Sequence, residues 1–87
     1  MKTVILKRSG TETDTPVEEY VHEFQNRTGK TIEVVEADSP GGVELAELHD
    51  IVQFPAILVT EQDGQFVQSW TEFDKWPTVS ELSFYNQ

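Results

Sequence analysis

The chain contains no cysteine among its 87 residues. That excludes a disulfide staple, a thiolate metal ligand and a thiol nucleophile. Positive charge is scarce as well: six lysines and arginines stand against sixteen aspartates and glutamates, a net charge of −10. Such a protein repels a phosphate backbone, so nucleic-acid binding is not expected. An anionic membrane surface is disfavoured for the same reason. Long apolar runs are missing too. None approaches the roughly 18 residues of a membrane helix. The first run, Val4-Ile-Leu6, is far shorter than the about 7–15 apolar residues of a secretory signal. The expected location is cytoplasmic, and the absence of cysteine fits a reducing compartment.

What is present suffices for one small domain spanning residues 1–87. Leu, Ile, Val and Phe number 24, about 28% of the chain and above the roughly 20% below which disorder is expected. Val4-Ile-Leu6 reads as a strand buried on both faces. A polar loop, Lys7 to Thr15, leads to a helix start with Thr15 as N-cap, Pro16 at the first position and Glu18 three residues on. Val17, Tyr20, Val21 and Phe24 give that helix one apolar face, and Gly29 is its expected stop. Thr31 to Glu36 reads as a second strand, rich in β-branched residues. Ser39-Pro40 opens a second, shorter helix through Val43, Leu45, Ala46 and Leu48, ending near His49 and Asp50. Ala56-Ile-Leu-Val59 is a third strand, and Asp63-Gly64 turns it into Gln65 to Trp70. Pro77 to Phe84 reads as a last helix with Val79, Leu82 and Phe84 inward. There is no internal repeat and no linker. The order βαβαββα implies an α/β fold, a four-stranded mixed sheet flanked by helices.

The stretch His49-Asp-Ile-Val-Gln-Phe-Pro-Ala-Ile-Leu-Val-Thr-Glu-Gln-Asp-Gly64 resembles the thioredoxin-like superfamily, and the likeness extends over nearly the whole chain. In that family a helix ends, an isoleucine packs beneath it and a cis-proline opens the third strand; Ile51 and Pro55 take those places here. The likeness implies the fold and not the reaction. Thioredoxins and glutaredoxins carry Cys-x-x-Cys, or one Cys, between the first strand and helix, whereas this loop is Arg8-Ser-Gly-Thr-Glu-Thr-Asp-Thr15. Thiol–disulfide exchange needs a thiolate, so a dithiol oxidoreductase activity is excluded.

Four features remain for function. A cis Phe54-Pro55 bond is either inherited architecture or, as the resemblance implies, exposed backbone on which an extended peptide docks. The acidic faces Glu18, Glu19, Glu23 and Glu44, Glu47 either solubilise the protein or steer a basic partner. Trp70, Phe73 and Trp76 either seal a small core or anchor an interface, Trp76 being the expected exposed one. His22 and His49 lack the three or four convergent ligands of a zinc site; His49 suits a helix C-terminus. No hydrolase, phosphate-loop or dinucleotide motif occurs. The expected function is a non-catalytic thioredoxin-like binding or adaptor module, without cofactor or metal. Its binding surface is Phe54, Pro55, Trp70 and Trp76, and its partner a protein or peptide. Two alternatives stay open: a glutathione-binding remnant using Gln68-Ser69, as the resemblance to transferases implies, and a structural homodimer closed by the aromatics.

Overall fold

Val4, Ile5 and Leu6 are all buried because β1 (Lys2–Lys7) lies inside a four-stranded sheet covered on both faces. The computed structural model describes residues 1–85. Along them follow α1 (Asp14–Thr28), β2 (Glu33–Glu36), α2 (Pro40–Leu48), β3 (Ala56–Thr60) and β4 (Phe66–Trp70). A short 3-10 turn, Phe73–Lys75, then leads to α3 (Val79–Ser83). The strand order is β2-β1-β3-β4, with β1 and β2 parallel and the other neighbours antiparallel. The fold is therefore α/β with a mixed, open sheet.

Strand alternation divides the core into two layers. Ile5, Ile57 and Val59 point to the side of α1 and α3, where Val17, Phe24, Ile32, Val79 and Leu82 complete one cluster. Leu6, Ala56 and Leu58 point the other way and meet Ala46 and Ile51 beneath α2. Complete burial of a side chain such as Phe24 or Leu82 contributes about 1.5–3 kcal/mol. Parallel pairing of Ile5 with Val34, and antiparallel pairing of Ile5 with Ile57, keep the first cluster in register across three strands.

The helix ends differ from expectation in two places. α1 starts at Asp14, one residue before the expected cap Thr15, and its N-cap Thr13 makes no side-chain capping bond. Its first turn is held instead by Asp14, whose Oδ2 accepts the Gly10 N–H at 2.7 Å. Pro16 has no N–H to offer, and the first helical bond comes from the Val17 N–H to the Thr13 carbonyl at 3.0 Å, so proline is accommodated. In α3, Thr78 and Glu81 form a reciprocal capping box. That helix is only five residues long, and Phe84, expected inward, is 71% exposed just past its end. Ser39 caps α2 as expected, its Oγ accepting the Gly42 N–H at 3.1 Å.

Candidate functional site

The chain turns into β3 through Phe54-Pro55, whose peptide bond is cis. Pro55 is buried and Phe54 half-buried. Phe54 packs on the α2-side cluster, and its ring is covered by the Arg8 guanidinium, 5.0 Å from the ring centroid. Stacking of this kind is worth about 0.5–1 kcal/mol at an exposed position. Arg8 Nε also lies 3.8 Å from Asp38 Oδ1. Arg8 opens the loop between β1 and α1, so these contacts tie that loop to the entry of β3.

Short polar contacts hold the same loop. Gly10 takes a φ of 82°, a left-handed conformation that glycine adopts without strain. The Ser9 N–H donates to Glu36 Oε2 at 3.2 Å, and the Ser9 hydroxyl donates to Glu36 Oε1. Thr11 and Thr13 share a hydroxyl hydrogen bond of 2.8 Å. Asp14 Oδ1 takes no hydrogen bond and instead faces Lys7 Nζ at 3.5 Å. That ion pair is largely shielded from water, and its carboxylate sits in the first turn of α1, where a negative charge is favoured.

Phe54, Arg8 and Val52 form a ridge between two clefts. One, of about 290 Å³, runs past Thr11, Glu12 and Thr13 to Pro55. The other, of about 500 Å³, lies toward α2, floored by Val43, Ala46 and Ile51 and rimmed by Asp38, Glu47 and Asp50. Val52 crowns the ridge with 83% of its surface exposed. Its height follows from Asp50, which adopts a φ of 55° as α2 ends and swings the chain outward; aspartate tolerates this conformation better than most residues. Ile51 is pulled back under α2, where its N–H donates to the Ala46 carbonyl at 2.8 Å. Arg8 and Val52 carry no local sequence signal, since the stacking of Arg8 on Phe54 joins residues far apart in the chain.

Trp70 and Trp76 lie elsewhere. Both pack against the α1-side cluster, and neither lines the two clefts. Trp76, expected to be the exposed aromatic, is half-buried, with Phe73 at 4.7 Å and Tyr20 at 5.1 Å in edge-on contact. The Tyr20 hydroxyl donates to the Pro77 carbonyl at 2.8 Å and holds this segment down on α1. Burial, helped by the nearby Glu23 and Glu81 carboxylates, raises the Tyr20 pKa well above the usual tyrosine range. Trp70 packs edge-on against Tyr85 at 5.5 Å. Among the described Phe, Tyr and Trp residues, Phe66 and Phe84 are the exposed ones.

Gln68 and Ser69 are consecutive residues inside β4, opposite Val59 and Leu58. Their side chains therefore point to opposite faces. His22 is exposed, and His49 lies 6.1 Å from the Phe66 ring at the end of α2. Among the described residues, no group of three or more His, Asp and Glu side chains could hold a metal ion, and no helix is long and apolar enough to cross a membrane. No protein-family model and no curated protein matches the chain.

Proposed function

We propose that this chain is a thioredoxin-like domain serving as a non-catalytic, cytoplasmic module that binds a protein or an extended peptide. The observation that carries the reading is the pair of clefts meeting at Phe54. They join an apolar floor, an exposed Val52 and polar loop groups at the entry to β3. Support for the fold assignment comes from the strand order β2-β1-β3-β4 and the parallel β1–β2 pair spanned by α1. The loop Arg8 to Thr13 beside Pro55 carries hydroxyls and a carboxylate but no sulfur, which favours binding over redox exchange. Phe54 and Pro55 remain in this surface. Trp70 and Trp76 are better explained as supports of the opposite layer.

The test is selection from a random peptide library on the folded protein, followed by amide chemical-shift mapping of an enriched peptide. Shifts centred on residues 8–13 and 50–55, abolished by Val52→Asp, are the expected result. Failure to enrich any peptide, or binding indifferent to Val52→Asp, would overturn the reading. Glutathione added to the same sample tests the transferase-like alternative, which requires shifts around Pro55, Gln68 and Ser69.

A further inference from the structure

β2 lies at one edge of the sheet and pairs with β1 alone. The Ala37 N–H donates to the Lys7 carbonyl at 2.7 Å, and Lys7 stands opposite Glu36 in parallel register. Alternation along that ladder turns the main-chain groups of Val35 toward β1 and those of Val34 outward. Ser39 closes the ladder at its far end, its N–H and Oγ both donating to the Glu36 carbonyl. The outer side of β2 thus offers the Val34 N–H and carbonyl and the Glu36 N–H to an incoming strand.

Side chains along the same edge follow a definite pattern. Val34 and Glu36 stand on the α1 side, opposite Ile5 and Lys7, while Glu33 and Val35 stand on the α2 side. Beside Val34, which is 41% exposed, a groove of about 390 Å³ continues over Val17 and Val21 of α1, bordered by Lys7, Glu18, His22 and Gln25. A strand laid against β2 therefore meets acid, apolar, apolar and acid in turn. Its complement is base, apolar, apolar, base, and the pattern is the same in either strand direction. One apolar residue would seat in the α1-side groove, and the bases would stand opposite Glu33 and Glu36.

A second copy of the chain is a poor occupant, because in-register pairing of two β2 strands sets glutamate against glutamate, which is destabilising. The present partners of the two carboxylates leave room for exchange. Glu33 meets Lys2 at 3.7 Å with both side chains more than half exposed, a pair of little energetic weight. Glu36 holds Ser9 and keeps lone pairs to spare. The net charge of −10 adds a field that draws cationic segments toward the molecule. We propose that β2 is a docking edge for an extended basic segment of a partner protein, in which two apolar residues are flanked by lysine or arginine. This edge is separate from the Phe54 clefts.

The experiment titrates the isotope-labelled 87-residue protein with a capped peptide containing Lys-Val-Val-Lys, and in parallel with one containing Glu-Val-Val-Glu. The lysine peptide is expected to shift amides at residues 32–37 together with Val17 and Val21, and to slow hydrogen exchange of the Val34 N–H. The glutamate peptide is expected to leave them unmoved. The double variant Glu33→Lys, Glu36→Lys should reverse the preference, weakening the lysine peptide by at least about fivefold. Should the double variant fail to fold, Glu33→Lys alone provides the same comparison with a smaller change. Silence with both peptides would mean that the glutamates merely guard the edge against pairing, and the proposal would fall. Equal binding of both peptides, or shifts confined to residues 50–55, would also overturn it.

Discussion

Tyr20, in the middle of α1, donates its hydroxyl to the carbonyl of Pro77, a residue 57 positions later that precedes α3. Trp76 is clasped in the same contact, edge-on to Tyr20. This bond fastens the segment that leads into α3 to the first helix, on the opposite side of the sheet from the Phe54 ridge.

Burial of the Tyr20 hydroxyl, with Glu23 and Glu81 nearby, makes stability sensitive to alkali. A tyrosine whose pKa is raised in the folded state holds its proton there more tightly than in the unfolded chain. The native state then binds more protons above pH 10.0, the ordinary tyrosine value, and stability falls as pH rises from there toward the folded pKa. Below that pH the contribution is fully present. Chemical denaturation should show Tyr20→Phe about 1–2 kcal/mol less stable at neutral pH, having lost a hydrogen bond to a carbonyl beside buried Pro77. The gap to wild type should narrow in alkali; a constant gap would disconnect Tyr20 from the alkaline loss.

Trp76→Ala should destabilise the protein by about 2–3 kcal/mol, less than the roughly 3–5 kcal/mol of a fully buried aromatic because Trp76 is only half-buried. The variant should keep its affinity for any peptide bound at the Phe54 clefts, once it is confirmed folded. A loss of affinity at unchanged stability would return Trp76 to the binding surface.

Gly42 lets the first turn of α2 lie directly on the end of β2. A Cβ at this position would collide with the Glu36 carbonyl and touch the Ala37 Cα, both main-chain groups that yield little. Gly42→Ala is therefore expected to cost about 1–3 kcal/mol. At neighbouring Gly41 an added Cβ meets nothing within 4 Å, and Gly41→Ala should be neutral or stabilising by up to about 1 kcal/mol. Urea midpoints of the two variants check this; equal midpoints would contradict the close approach.

Sixteen carboxylates against six bases repel one another around a body 32 × 30 × 20 Å across. A screening length of about 10 Å at 0.1 M salt is short against that span. The melting temperature should rise by several degrees between dilute buffer and about 0.2 M sodium chloride. An unchanged value would mean that the local pairs, such as Lys7 with Asp14, already balance the repulsion.

Local chemistry made much of the architecture legible. The β-branched and apolar runs at Val4-Ile-Leu6 and Ala56-Ile-Leu-Val59 became the two central strands, since runs without polar alternation fit only a sheet covered on both faces. Ser39-Pro40 opened α2 and Asp63-Gly64 turned the hairpin because those residues carry their own backbone preferences. Helix starts were less legible where a distant side chain intervened. Asp14 could be recognised as an anchor of α1 only once Lys7 and Gly10 stood beside it.

The candidate site was half visible. Phe54-Pro55 announced itself by residue type, yet the ridge it forms needs Arg8 from the distant loop between β1 and α1 and Val52 lifted by the turn at Asp50. The fate of the aromatic segment was likewise a tertiary matter. A tryptophan in a loop is equally compatible with an interface and a core, and only the position of α1, with Tyr20 reaching Pro77, decided that Trp76 faces inward. Periodicity and turn chemistry act over a few residues and set which elements form. Which side chains meet, and which stay open to a partner, depends on the order of the strands and the layers packed on them, and no local pattern encodes that.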